Sequence, residues 1–269
     1  MWKHKLQEAL AEHDNLPPII LEAREKLNEA ISFYLGSATD ISHLAKPLVM
    51  AKTSALCPSD LRMPYDTCLF ELDYNGETSN QRSLTLIYRK EGGVDSYIIL
   101  PFLFNSSSEE KWQYSALYGE FCFDSAEITG RYCDTDEEEH DISKYASFFI
   151  TGCSVSHITL LLLSCKNVST STVPAPARLN KKRTLRNKFP ISEYKILEVH
   201  PQASRRAADN KHHGPAKGMV RVHLCRGHFK EYTADKPLMG KATGRYWWQP
   251  TVRGEKKRGV LNKDYAIRG

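Results

Sequence analysis

Three short runs in the last part of the chain combine cations with aromatic rings: Arg226-Gly227-His228-Phe229-Lys230-Glu231-Tyr232, Gly244-Arg245-Tyr246-Trp247-Trp248 and Val252-Arg253-Gly254. Guanidinium groups grip phosphate through a planar fork. Aromatic faces are stacking platforms for unpaired bases. Arg221, Arg226, His228, Lys230, Tyr232, Arg245, Trp247, Trp248 and Arg253 are therefore the expected nucleic-acid contacts. Histidine and tyrosine can also move protons, which makes His223, His228 and Tyr232 the candidates for general acid–base work on a ribose hydroxyl. The opposing expectation is structural. Neighbours on a strand point to opposite faces, so one of Trp247 and Trp248 is expected to fill a core while the cations are solvated.

Other polar clusters point less directly to chemistry. Six carboxylates fall between Asp134 and Asp141. They could hold a hard cation, but the glycine and spacing of an EF-hand loop are missing, so a solvated loop is expected. The same run could also cover the basic C-terminal surface. His212-His213 beside Lys211 reads as a solvated loop. The seven cysteines (57, 68, 122, 133, 153, 165 and 225) are widely spaced without C-x-x-C, which argues for free thiols rather than disulfides or zinc. No Walker lysine loop, G-x-G-x-x-G, H-E-x-x-H or G-x-S-x-G occurs. Neither a metal nor a cofactor is expected.

Charge is divided along the chain. Residues 171–269 carry 23 Lys and Arg against 7 Asp and Glu, a net +16; residues 1–170 carry 14 against 25, a net −11. Such a split suggests an interaction surface for a polyanion. DNA or RNA is the expected partner, with an acidic protein as the alternative. No apolar run approaches the roughly 20 residues of a membrane span. The first residues lack the apolar core of a signal peptide, so a cytoplasmic location is expected.

The elements that must position these residues read as an α+β fold. A helix is expected from Asn15 and Pro17-Pro18, with Ile20, Leu27, Ile31 and Tyr34 on one face and Gly36 as its stop. A weaker helix could start at Ser42. Antiparallel strands are expected over Cys68–Tyr74, Ser83–Tyr88, Ser96–Phe104, Tyr114–Phe123, Ser147–Thr151 and His157–Leu163. Residues 1–166 would form this acidic domain, 167–190 a linker with a basic run, and 191–269 a basic β module. Within the module, Ser192–His200 reads as a strand. A second strand from Arg221 to Tyr232 would turn back through Gly244–Trp248 as a hairpin, with a bulge at Gly227.

The same C-terminal runs resemble the signature of a widespread family of phage, prophage and mobile-element proteins: R-G-H-F-K-x-Y, a P-L-F-G loop, G-x-Y-W-W and H-V-R-G. The matching residues are Arg226 to Lys230, Tyr232, Pro237-Leu238, Gly240, Gly244, Tyr246 to Trp248 and Val252 to Gly254. A looser likeness lies in Leu61 to Glu71. Met239 stands where the family carries Phe, and Thr251 where it carries His, so no catalytic role passes to that position. The resemblance implies a phage or mobile-element setting in a bacterial host; the family lends no established activity. His223, Arg226, His228, Lys230 and Tyr232 are also similar in chemistry to the residues of compact, metal-independent ribonucleases of bacterial toxin and barnase-like kinds. The sequence thus predicts a nucleic-acid-binding protein, with a ribonuclease or a structural host-interaction protein as alternatives.

Overall fold

The computed structural model describes residues 2–13, 15–37, 61–75, 80–92, 95–106, 108, 111–115, 117–123, 127–133, 142–200, 221–225, 227–248, 251–253 and 255–260. Arg226, the acidic run 134–141, His212-His213 and the expected helix at Ser42 lie outside the described residues. The chain divides into two compact units. Unit 1 comprises Met1–Ser164 and Val168–Glu198; unit 2 comprises Cys165–Asn167 and Val199–Gly269.

Unit 1 opens with helices α1 (Lys3–Ala11) and α2 (Pro18–Glu29) and strand β1 (Ile31–Ser37). Pro18 occupies the first turn of α2, where its missing N–H costs nothing, and Ile20, Ala23 and Leu27 form the buried face. The helix stops at Glu29, not at Gly36 as expected. Ile31-Ser32-Phe33-Tyr34 happens to continue the helical spacing. Its β-branched and aromatic residues instead form a strand between two others, with Ser32 and Phe33 buried. Helix α1 was not foreseen in the sequence. Its first amides, Trp2 and Lys3 N–H, donate to the Glu71 carboxylate at 2.7 and 3.2 Å. The cap thus comes from a distant strand.

The next strands are β2 (Thr67–Asn75), β3 (Asn80–Arg89), β4 (Ser96–Asn105), β5 (Trp112–Tyr114), β6 (Leu117–Cys122) and β7 (Glu127–Tyr132). Then come helix α3 (Ile142–Leu163), β8 (Val168–Val173), helix α4 (Ala177–Thr184) and β9 (Tyr194–Val199). The sheet order is β7-β6-β4-β3-β2-β1-β9-β8, with β5 also on β4. From β2 to β7 the pairing is antiparallel, but β1 runs parallel to both β2 and β9. The α+β class stands, whereas the expected purely antiparallel sheet is corrected to a mixed one. Parallel neighbours need a long crossover, and residues 38–66 and the whole of β2 to α4 supply them.

Helix α3 replaces the two strands expected at Ser147–Thr151 and His157–Leu163. A short apolar run cannot be assigned by periodicity when the element is buried. The hydroxyls that break the apolar run are satisfied inside the helix: Ser156 Oγ donates to Gly152 O at 2.8 Å and Thr159 Oγ1 to Val155 O at 2.7 Å. Leu6, Leu10, Ile20, Ala23 and Leu27 of α1 and α2 pack on Leu69, Leu84, Leu86, Ile98, Leu100 and Phe102. Helix α3 lies on the other face, where Gly152 meets the opposite-parity Thr85 and Pro101. A Cβ at Gly152 would stand 2.5 Å from Pro101 Cγ. Pro101 sits where β5 gives way to β6, and its carbonyl accepts Ser115 N–H at 3.0 Å there. Its missing donor thus falls at a break in the partner strand.

The expected linker over 167–190 holds β8 and α4 instead, and unit 1 extends to Glu198. Among the described residues no helix is long and apolar enough to cross a membrane.

Candidate nucleic-acid interface

Unit 2 contains β10 (Arg221–Cys225), β11 (His228–Tyr232), β12 (Gly244–Trp248), β13 (Thr251–Arg253) and β14 (Glu255–Val260). They form two separate sheets, β13-β10-β14 and the β11–β12 hairpin. The expected single strand from Arg221 to Tyr232 is thus two strands, β10 and β11, which join different sheets.

The hairpin register decides which side chains meet. His228 faces Trp248, Phe229 faces Trp247, Lys230 faces Tyr246, Glu231 faces Arg245 and Tyr232 faces Gly244. Directly opposed residues share a sheet face, and faces alternate along a strand. His228, Lys230, Tyr232, Tyr246 and Trp248 therefore lie on one face. Phe229, Glu231, Arg245 and Trp247 lie on the other. Of the expected contacts, His228, Lys230, Tyr232 and Trp248 are brought together. Arg245 and Trp247 are turned away from them.

The first face carries cationic and aromatic groups. His228 and Lys230 are exposed, and Tyr232 and Trp248 are half-buried. Lys230 Nζ stands 4.8 Å from the Tyr232 ring centroid, a cation–π distance. Tyr232 meets Tyr246 edge-on at 5.7 Å and 78°. Tyr246, which the sequence reading did not single out as a contact, is buried and braces this face. The Trp248 Nε1 is enclosed and finds no acceptor among the described residues.

The second face is a small core. Phe229 and Trp247 pack at 4.7 Å between centroids. The Arg245 side chain is 6% exposed and lies 3.9 Å from Glu231, which is 64% exposed. A guanidinium so buried, with a carboxylate beside it, is a packing group rather than an open phosphate grip. Cys165 also belongs to this unit. Burial pushes its thiol up to about 12, against the lowering charge of Arg245, so it stays protonated at neutral pH.

Asn167 holds β12 in place and gave no signal in its Ser/Thr-rich surroundings. Its Nδ2 donates to Trp247 O at 2.8 Å, and its Oδ1 accepts Trp247 N–H at 2.9 Å. Nδ2 also reaches His200 O at 3.2 Å, while the Asn167 carbonyl accepts His200 N–H at 2.8 Å. Lys166 N–H donates to Arg245 O at 2.8 Å. Gly244, at φ 107°, carries no Cβ; one would press on the Lys166 side chain at 3.3 Å. The long connection 233–243 closes by a turn in which Leu238 and Ala242 exchange backbone bonds of 2.7 and 3.0 Å. Met239 and Gly240 take left-handed φ values of 53° and 74° there.

The remaining candidates lie in the other sheet of the unit. His223 is opposite Arg253 and Cys225 opposite Thr251 in the antiparallel β10–β13 pair; Arg221 is opposite Glu255 in the parallel β10–β14 pair. His223 thus does not share a strand with His228 or Tyr232. Those two are four residues apart on β11, about 13 Å along the strand. General acid–base partners must both reach one reacting group within hydrogen-bond distance. The hairpin offers a stacking and phosphate-binding face more readily than such a pair. Comparisons with family models, curated proteins and solved structures find no match to this chain.

Proposed function

We propose that this protein binds nucleic acid through the β11–β12 hairpin, with the face of His228, Lys230, Tyr232 and Trp248 as the contact. The observation that carries this reading is Lys230, exposed between His228 and Tyr232, with aromatic rings opposite it and beside it on one face. Such a face suits single-stranded segments, whose bases are free to stack while the ammonium meets phosphate. The net +16 of residues 171–269 supports a polyanionic partner over a neutral one.

The test is fluorescence anisotropy of labelled single-stranded DNA and RNA over a range of salt, with the RNA then run on a gel. Lys230→Ala should weaken binding and lower the log–log salt slope by about 0.7 on single strands. His228→Ala should leave RNA intact and bound. Loss of cleavage with retained affinity in that variant would instead establish a ribonuclease. Unchanged binding in both variants, with the fold intact, would remove the hairpin from the interface. The resemblance of the C-terminal runs supports a phage or mobile-element setting in the bacterial cytoplasm, which genomic neighbours would check.

A further inference from the structure

Helix α4 lies in unit 1, outside the hairpin, and its two faces differ sharply. The inner face is stapled. Arg183 pairs with Glu8 at 2.6 Å and donates from Nε to Phe189 O at 2.8 Å. Asn180 exchanges two bonds with Ile191, both 2.8 Å. Asn187, at φ 54°, lies in the turn that follows the helix, and Lys188 N–H returns to Arg183 O at 3.0 Å.

The outer face is cationic. Arg178, Lys181 and Lys182 fall at i, i+3 and i+4, on the side away from Asn180 and Arg183. All three are exposed, as are Arg186 and Lys188 in the turn that follows. None of the five has an ion-pair partner among the described residues. No Asp or Glu occurs between Val173 and Glu193. Like charges at this spacing disfavour the helix, so the fold alone gives no reason to keep them together. Leu185, 79% exposed, lies on the same side one turn beyond Lys182.

The rest of unit 1 is acidic. Unit 1 carries a net −7, and without the six cations of 177–188 it would be −13. Helix α4 and the turn after it thus carry a positive charge opposite in sign to the rest of the unit.

We propose that the outer face of α4, Arg178, Lys181 and Lys182 with Arg186 and Lys188 after it, is a second nucleic-acid contact that grips the phosphodiester backbone without reading sequence. The stapled inner face holds these cations in order before binding, which lowers the entropy cost of gripping phosphate. A lipid surface is the poorer occupant. Leu179 and Leu185 are on different sides of the helix and do not make the continuous apolar face that membrane insertion needs.

The test uses the full chain, a random-sequence DNA duplex and vesicles containing phosphatidylserine. Arg178→Ala/Lys181→Ala/Lys182→Ala should lower the duplex salt slope by about 2.7 and weaken binding by about tenfold or more near 0.1 M salt. Its melting temperature should not fall, because none of the three side chains has an ion-pair partner to lose among the described residues and their mutual repulsion is relieved. The triple lysine or arginine swap that keeps charge (Arg178→Lys/Lys181→Arg/Lys182→Arg) should bind as the parent does. Unchanged slope and affinity in the alanine variant would overturn the proposal. So would failure of the parent chain to bind duplex, or vesicle binding that the alanine variant alone loses while duplex binding persists. His228→Ala/Lys230→Ala, measured in parallel on single strands, judges the hairpin separately.

Discussion

Replacing Asn167 with alanine removes the side chain that carries both backbone bonds to Trp247. Asn167 is 5% exposed, and its amide makes contacts of 2.8 and 2.9 Å to Trp247 and 3.2 Å to His200 O. Alanine leaves the Trp247 N–H and C=O without those partners. An orphaned buried donor or acceptor costs about 1–3 kcal/mol. With the longer His200 contact counted as nothing, unit 2 should lose about 2–6 kcal/mol, a large part of a domain's usual stability of roughly 5–15 kcal/mol. Asn167→Asp keeps the acceptor for Trp247 N–H but turns a carboxylate oxygen toward two carbonyls, so it should be no better than alanine. Urea unfolding followed by tryptophan fluorescence reads the loss, and hydrogen exchange at the Trp247 amide assigns it to β12. A stability within about 0.5 kcal/mol of the parent, with the Trp247 amide still protected, would refute the reasoning.

The division of the hairpin into two faces makes Arg245 and Lys230 behave oppositely. Arg245→Ala should lower stability by about 1–3 kcal/mol and leave the salt slope of binding unchanged, whereas Lys230→Ala should do the reverse; equal effects on the slope would contradict the register. Gly152→Ala should destabilise unit 1 by about 1–3 kcal/mol, read by thermal melting, because its Cβ would stand 2.5 Å from Pro101 Cγ. His4 is buried, and that burial, with the nearby charges of Arg183 and Lys5, lowers its pKa from 6.5 to about 4. The folded state therefore prefers neutral His4 and the unfolded state takes up the proton first. Stability is present above pH 6.5 and falls as pH drops toward 4, by on the order of 2–3 kcal/mol. His4→Gln should flatten that part of the urea-midpoint profile between pH 7 and pH 4.5.

Much of unit 1 was legible from residue patterns because antiparallel strands with one period announce themselves locally. Cys68–Tyr74, Ser83–Tyr88 and Ser96–Phe104 fall within β2, β3 and β4 with small shifts at the ends. Elements whose identity depends on distant partners were misread. Ile31–Ser37 is a strand because β2 and β9 flank it, and α3 is a helix whose later part, Val155 to Leu162, buries most of its apolar side chains, with the hydroxyls of Ser156 and Thr159 turned onto its own carbonyls. Helix α1 draws its cap from Glu71, which no local window contains. Burial raises the pKa of that carboxyl, against the lowering pull of the Trp2 and Lys3 amides.

The candidate site divides in the same way. The sequence by itself determined that cations and aromatic rings crowd the region from Arg221 to Arg253 and that β11 and β12 pair as a hairpin, since composition and strand propensity are local properties. Alternation alone also separates His228, Lys230 and Tyr232 from Phe229 and Glu231. What remained for the tertiary structure was register and facing. The turn at Leu238–Ala242 sets which residue of β12 meets which of β11, and so puts Trp248 with His228 and sends Arg245 to Glu231. Asn167 and Lys166, some 80 positions before β12, hold that strand by its backbone, and Phe229 and Trp247 pack together on the hairpin's other face. No local spacing encodes that contact, because it depends on chain segments that meet only after folding.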